Sequence, residues 1–489
     1  MTLTTAQAST NTTLTARNLL IGGRAVPSAS RPPIDVTNPS DGSVITQVAD
    51  ATPAEALAAV DAAETAMQAW RSTTPRARAE ILRRCFDLMT EREDDLAYLI
   101  ALENGKALSD ARGEVAYAKE FFRWYSEEAV RNIGTITTAP TGTNRILVQH
   151  EPIGVAVLVT PWNFPAAMAT RKIAPALAAG CSVVLKPATQ TPLTAYAVAD
   201  ILAEAGVPDG VVNIVTTSTA GEVVSAMLHD SRVRIVSFTG STAVGRSLLR
   251  ESSDHVLKCA MELGGNAPLL ILEDADLDTA LDGAMLAKMR NGGQACTAAN
   301  RIFVHRSLVT DFTNELAARM SALTVGAGTE NTTQCGPLID DAAVTKVSRL
   351  VTNALEHGAR LVSGGTAPEG PGSFYLPTVL TDVPRDAEIV REEIFGPVAA
   401  IIPFDSDEEA IAAANDTEYG LSAYVFSADL AHGLRVAEQI ESGMVAINRG
   451  LLSDPAAPFG GMKQSGLGRE GAREGMLEFT ESKYIAVAW

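Results

Sequence analysis

The chain has 489 residues, 46% of them hydrophobic and 20% charged, which is globular composition rather than disorder. At roughly 150 residues per domain, the length suggests about three structural units around a large core. The 39 basic and 58 acidic side chains leave a net charge of −19, which argues against a nucleic-acid binder and against adhesion to anionic membranes.

The start, Met1 to Leu14, is Thr/Ala-rich without a basic stretch followed by an apolar one, and reads as a loose tail rather than a secretion signal. No later apolar run reaches the ~18 residues of a transmembrane helix. A first helix is predicted from Pro53 to Trp70, with Thr52 as N-cap, Pro53 at the first helical position and Glu55 completing a capping box. Helical patterns follow over Arg76–Asn104 and Ser109–Ile133. From Pro152 the pattern alternates: strand Val155–Thr160, helix to Ala179, strand Ser182–Lys186, helix Leu193–Ala205, strand Val211–Val215, a helix from Ala220, strand Arg234–Phe238. Short βα turns of this kind predict a parallel sheet covered on both faces, with ligands beyond the carboxyl ends of its strands. A second α/β stretch starts near Asn266 with strand Leu269–Leu272, helix Leu277–Arg290, strand Arg301–Val304 and helix Leu308–Leu323. A glycine-rich loop, Phe459 to Gly471, and a terminal strand, Lys483–Trp489, close the chain.

Four segments carry chemistry. In Gly292-Gly293-Gln294-Ala295-Cys296 a cysteine follows two glycines, where backbone N–H groups near the sulfur would lower its pKa and favour the thiolate; the competing reading is a buried structural cysteine. Glu262, at a strand end before Gly264-Gly265, is a candidate general base or else a solvated loop carboxylate. Asn163, between Pro161 and Pro165, offers a rigid amide to an oxyanion or caps the next helix. Gly240-Ser241, opening a helix after a strand, suits a phosphate or is an ordinary βα turn. A GxGxxG pattern at 466–471 lacks a βαβ context and is set aside as a cofactor site. The cysteines Cys85, Cys181, Cys259, Cys296 and Cys335 contain no CxxC pair and suit a reducing, cytoplasmic setting; the six histidines form no HExxH, so no metal is expected.

Together the segments PWNFP at 161–165, LKP at 185–187, FTGST at 238–242, MELGGNAP at 261–268, GQAC at 293–296, EEIFGP at 392–397 and PFGG at 458–461 resemble the aldehyde dehydrogenase superfamily over nearly the whole chain. The resemblance implies an α/β fold: a parallel-sheet dinucleotide-binding domain over 15–135 and 153–262, an α/β catalytic domain over 263–465, and a small β oligomerisation arm from 136–152 and 466–489, in a homodimer or homotetramer. It implies that Cys296 attacks the aldehyde, that Asn163 and the backbone N–H of Cys296 hold the oxyanion, and that Glu262 activates water against the thioester. It further assigns cofactor contacts to Trp162, Lys186, Thr189, Gly240, Ser241, Glu393 and Phe395.

Within that superfamily the chain looks most like succinate-semialdehyde dehydrogenases, through Met168-Ala169-Thr170-Arg171-Lys172, Arg290-Asn291 and Ser453. There the equivalents of Arg171, Arg290 and Ser453 grip the distal carboxylate, as a bidentate guanidinium would; the alternative is that either arginine makes a structural salt bridge. Many NAD-using relatives carry glutamate where this chain has Thr189, so less repulsion meets a 2′-phosphate and NADP is expected to be accepted or preferred over NAD. Ala298 stands where some relatives have a second cysteine, so their reversible disulfide is not expected. The rival readings are a dehydrogenase for another semialdehyde such as glutarate semialdehyde, a general aldehyde dehydrogenase, and a cysteine esterase or acyl-transferase.

Overall fold

The computed structural model describes residues 14–28 and 30–488, so the tail read at the start of the chain lies, except for Leu14, outside the described residues, as does Trp489. The helix Pro53–Trp70 forms with the expected capping box: Glu55 N donates to Thr52 Oγ1 at 3.3 Å, and Thr52 N donates to Glu55 Oε2 at 2.7 Å. The long helical pattern of 76–104 breaks at Arg92 into helices Pro75–Glu91 and Glu93–Asn104. The next pattern becomes the helix Leu108–Glu128 and a 3-10 turn, Ala129–Arg131.

The alternating segment builds an eight-stranded sheet. Its five parallel strands run in the order Val212–Ile214, Ser182–Lys186, Val155–Val159, Val233–Thr239, Lys258–Glu262. Val155–Val159 and Ser182–Lys186 are buried at every position, which is why they read as continuous apolar runs rather than alternating ones. From Val155–Val159 the chain winds outward in one direction and then returns to its other side with Val233–Thr239. The strand order therefore reverses between these two neighbours, and a crevice opens beyond their carboxyl ends.

Both edges of this sheet were invisible in the sequence. Leu19–Ile21 and Arg24–Val26 extend one edge antiparallel; three residues each, only partly buried, they show no readable alternation. Gly466–Leu467 pairs antiparallel with Met261 and Glu262 on the other edge. The set-aside glycine pattern thus finishes a sheet, and these two residues belong to no strand of the three-stranded arm.

A second, seven-stranded sheet runs Arg360–Ser363, Thr378–Thr381, Val398–Phe404, Arg301–His305, Pro268–Ile271, Ser422–Phe426, Met444–Ile447, parallel except at its first pair. Apolar side chains fill both faces of each sheet. A third, antiparallel sheet joins Thr135–Thr138, Arg145–Pro152 and Thr480–Val487. No helix among the described residues is long and apolar enough to cross a membrane.

Candidate active site

The cysteine loop leaves the helix Leu277–Met289 through three consecutive residues with left-handed backbone: Asn291 (φ 52°), Gly292 (φ 59°) and Gly293 (φ 78°). Glycine is required at 293 for a second reason: a Cβ there would lie 2.1 Å from the Gly396 carbonyl oxygen. That approach locks the loop to the 392–397 segment. A Cβ at Gly265 would likewise lie 2.6 Å from the Cys296 carbonyl oxygen, so the turn after Glu262 rests on the cysteine's own backbone. Three motifs far apart in sequence meet here because their glycines let main chains touch.

Cys296 is half-buried, and burial pushes its thiol up to about 11; Glu393 and Glu262 act in the same direction, against the guanidiniums of Arg171 and Arg290. The expectation of a thiol lowered by nearby N–H groups is therefore corrected. Desolvation outweighs the local dipoles, and the resting group is a protonated thiol. The same charges locate the sulfur: both arginines and both carboxylates act on it.

Asn163 is buried and donates from Nδ2 to the Gln294 carbonyl at 3.1 Å, in the cysteine loop itself. Its own carbonyl accepts from Asn291 Nδ2 at 2.9 Å and from Lys106 Nζ at 2.6 Å; Lys106 is in turn paired with Glu114 at 2.5 Å, both fully buried. The helix-capping alternative does not hold, since Phe164 is the N-cap of the helix Pro165–Ala179 and supplies no side-chain bond.

Glu262 is buried, its Oε2 without a hydrogen bond among the described residues. Burial raises its pKa well above the ordinary value of a glutamate, helped by the like charge of Glu470 and opposed by Arg171, Lys172 and Arg469. It is thus a buried carboxyl rather than a solvated one. Glu470 is clasped by Arg171 and Lys172, and Lys172 Nζ also donates to Ser237 Oγ at 3.0 Å. Sequence reading missed Glu470. It lies 298 positions from Lys172, inside the pattern set aside as a failed nucleotide fingerprint, and no local signal marks it.

The crevice at the strand reversal collects the other marked residues. Trp162 and Phe395 meet edge to face at 5.4 Å. Phe395 holds φ 57°, a conformation that costs a bulky residue roughly 1–3 kcal/mol. Glu393 Oε1 accepts from Gly265 N at 3.3 Å; burial lifts its carboxyl to about 7, against Lys346, the Gly265 bond and Lys288. Lys186, at the end of its strand, is buried with no ion pair among the described residues, and burial lowers its amine to about 8. Thr189 donates to the Thr217 carbonyl at 3.2 Å. Ser241, exposed, caps the helix Thr242–Ser252 after Gly240. An unpaired buried amine, an uncovered helix N-terminus and two aromatic rings around one crevice fit a dinucleotide's phosphates and rings.

On the other side of the sulfur, Arg171 is 1% exposed, paired with Glu470, and stacked 4.5 Å from the Phe459 ring. The structural-salt-bridge alternative therefore holds for Arg171, at least in part. Arg290 lies over the Phe164 ring at 5.1 Å and touches Thr297 Oγ1 at 3.3 Å, with no carboxylate partner among the described residues. Ser453 is half-buried in the loop whose residues 454–456 face Glu120, Arg123 and Trp124 across a cavity of about 280 Å³.

The "Aldehyde dehydrogenase family" model matches residues 25–485. A succinate-semialdehyde dehydrogenase of Paenarthrobacter nicotinovorans is 56% identical over 445 residues, covering 91% of this chain and 99% of that one. A glutarate-semialdehyde dehydrogenase of Pseudomonas putida is 48% identical, covering 93% and 94%. The crystal structure of an E. coli NADP-dependent enzyme superposes with a TM-score of 0.95 at 47% identity, covering 97% and 98%. With the fold, the crevice and the motifs all in agreement, the chain belongs to the aldehyde dehydrogenase family.

Proposed function

We propose that this enzyme oxidises succinate semialdehyde to succinate with NADP, or less readily NAD. The observation that carries the substrate is that two guanidiniums act on the Cys296 sulfur, and that one of them, Arg290, has no carboxylate of its own among the described residues. An aldehyde reaching Cys296 with a distal carboxylate supplies the missing anion. The first relative named above acts on this substrate, which agrees.

Cys296, which is half-buried, gives its proton to solvent water, and the thiolate attacks the aldehyde carbon. The Asn163 amide turns from the Gln294 carbonyl toward the new oxyanion, joined by the Cys296 N–H. The buried Lys106 holds the Asn163 main chain while the side chain does this. Lys186 and Ser241 would hold the dinucleotide's ribose and phosphates, and Trp162, Glu393 and Phe395 its nicotinamide half. When bound, the nicotinamide supplies the hydride acceptor. The thioester left on Cys296 is then cleaved by a water that Glu262 deprotonates. The charges of Glu470, Arg171 and Lys172 bear on Glu262 as it takes that proton.

Arg290→Ala is expected to lower kcat/KM for succinate semialdehyde by roughly ten- to hundredfold while butyraldehyde, which has no carboxylate, changes little. Equal losses on the two aldehydes would replace the semialdehyde reading with a general aldehyde dehydrogenase. Arg171→Ala is the less clean variant, because it also strips Glu470 of a partner. For the cofactor, Thr189→Glu should lower the ratio of kcat/KM for NADP to that for NAD, since the new carboxylate would repel a 2′-phosphate and accept from ribose hydroxyls. An unchanged ratio would mean that residue 189 does not face the ribose.

The proposal extends to a homo-oligomer in a reducing, cytoplasmic setting. It is supported by the exposed apolar side chains on and beside the three-stranded arm, Ile133, Ile136 (71% exposed), Tyr484 and Ile485, and by five free cysteines.

A further inference from the structure

The helix Leu108–Glu128 presents one face to the site, a turn at a time. Asp110 Oδ2 accepts from Asn291 N at 2.9 Å, at the mouth of the cysteine loop. One turn on, Glu114 Oε1 accepts from Ala166 N at 2.8 Å, at the start of the helix that carries Arg171. Spacings of four and three residues put Tyr117 next on that face. Its ring is fixed edge-on to Phe121 at 4.9 Å, and the residue is half-buried. Its hydroxyl is buried, with the Arg171 guanidinium close enough to donate to it, but no acceptor for its own proton is found among the described residues. The charges bearing on it are the guanidiniums of Arg171 and Arg290 and the carboxylate of Glu470; burial keeps the phenol protonated, its pKa raised.

A phenol has one proton to give, and guanidiniums have only donors. A hydroxyl on which two of them act therefore lacks an acceptor until an anion arrives. A carboxylate offers about four lone-pair positions, and because Arg171 is already committed to Glu470, room remains for a further donor. We propose that Tyr117 is a further specificity-determining residue, whose hydroxyl donates to the distal carboxylate of the semialdehyde between Arg171 and Arg290. The inference rests on the substrate reading above. Its rival is that the hydroxyl serves Glu470, whose buried Oε2 is ion-paired to the Arg171 guanidinium.

The test compares the full-length enzyme with Tyr117→Phe, with NADP, on succinate semialdehyde and on butyraldehyde. The expected result is a loss of about tenfold or more in kcat/KM on the semialdehyde and less than about twofold on butyraldehyde. Binding of succinate alone should weaken by a similar factor while NADP binding is unchanged, which also shows that the variant is folded. Equal losses on both aldehydes, the signature of a hydroxyl serving Glu470, would overturn the proposal. So would a preference for the semialdehyde that survives Tyr117→Phe intact. A wild-type enzyme with no preference for the semialdehyde over butyraldehyde would overturn the substrate reading, and this inference with it.

Discussion

Cys296→Ser is expected to cut aldehyde oxidation by roughly a thousandfold or more, with NADP binding retained. The reason lies in the environment of the sulfur. Even the thiol is held up to about 11 by burial and by two carboxylates, so the far weaker acid of a serine would stay protonated. No histidine is among the charges acting on the sulfur, so the hydroxyl would have no ready base. The same elevation has a direct readout in the wild type. A group with a raised pKa gains thiolate only as pH climbs, so alkylation of the free enzyme by iodoacetamide should accelerate steadily from about pH 7 to about pH 10. A rate already on its plateau at neutral pH would mean that a further base or dipole unloads the thiol. A serine variant retaining more than a few percent of kcat would move the nucleophile elsewhere.

Glu262→Gln should slow steady-state turnover by roughly 10²–10⁴-fold while a first equivalent of reduced cofactor still forms in a burst. Glutamine keeps the volume of a fully buried side chain and loses only the ability to take a proton from water. The wild-type carboxyl is raised by burial and by Glu470, so it must shed its proton before it can act, and deacylation should rise with pH through that ionisation. In Glu262→Gln this pH limb should vanish along with the rate. A variant turning over normally, or one with no burst, would remove Glu262 from thioester hydrolysis.

The interior of the fold was legible from the sequence because parallel strands buried on both faces are unbroken apolar runs, and Ser182–Lys186 and the helix Leu193–Ala205 lie where those runs predicted. Edges carried no such signal. Leu19–Ile21 and Gly466–Leu467 owe their existence as strands to neighbours distant in the chain. The site divides in the same way. Cys296, Glu262 and Asn163 stand in motifs that glycine and proline mark, whereas Glu470, Lys106 and Tyr117 sit in ordinary-looking contexts and reach the site only through tertiary packing. The ionisation of Cys296 was misjudged for a related reason: local N–H groups can be read from a loop, but the walls that desolvate the sulfur come from elsewhere.

The pairing of Gly466–Leu467 with the strand that ends at Glu262 bears on how the molecule is made. A ribosome delivers the central strands early and the capping pair among the last residues of the chain. Until then the strand bearing Glu262 is a bare rim with unpaired amides and carbonyls, the kind of template on which nascent chains stick to one another. Glu470 arrives in the same late segment. Termination after Phe395 but before Gly466 would yield a protein with Cys296 and the dinucleotide crevice residues in place, yet prone to aggregate and unable to discharge its thioester.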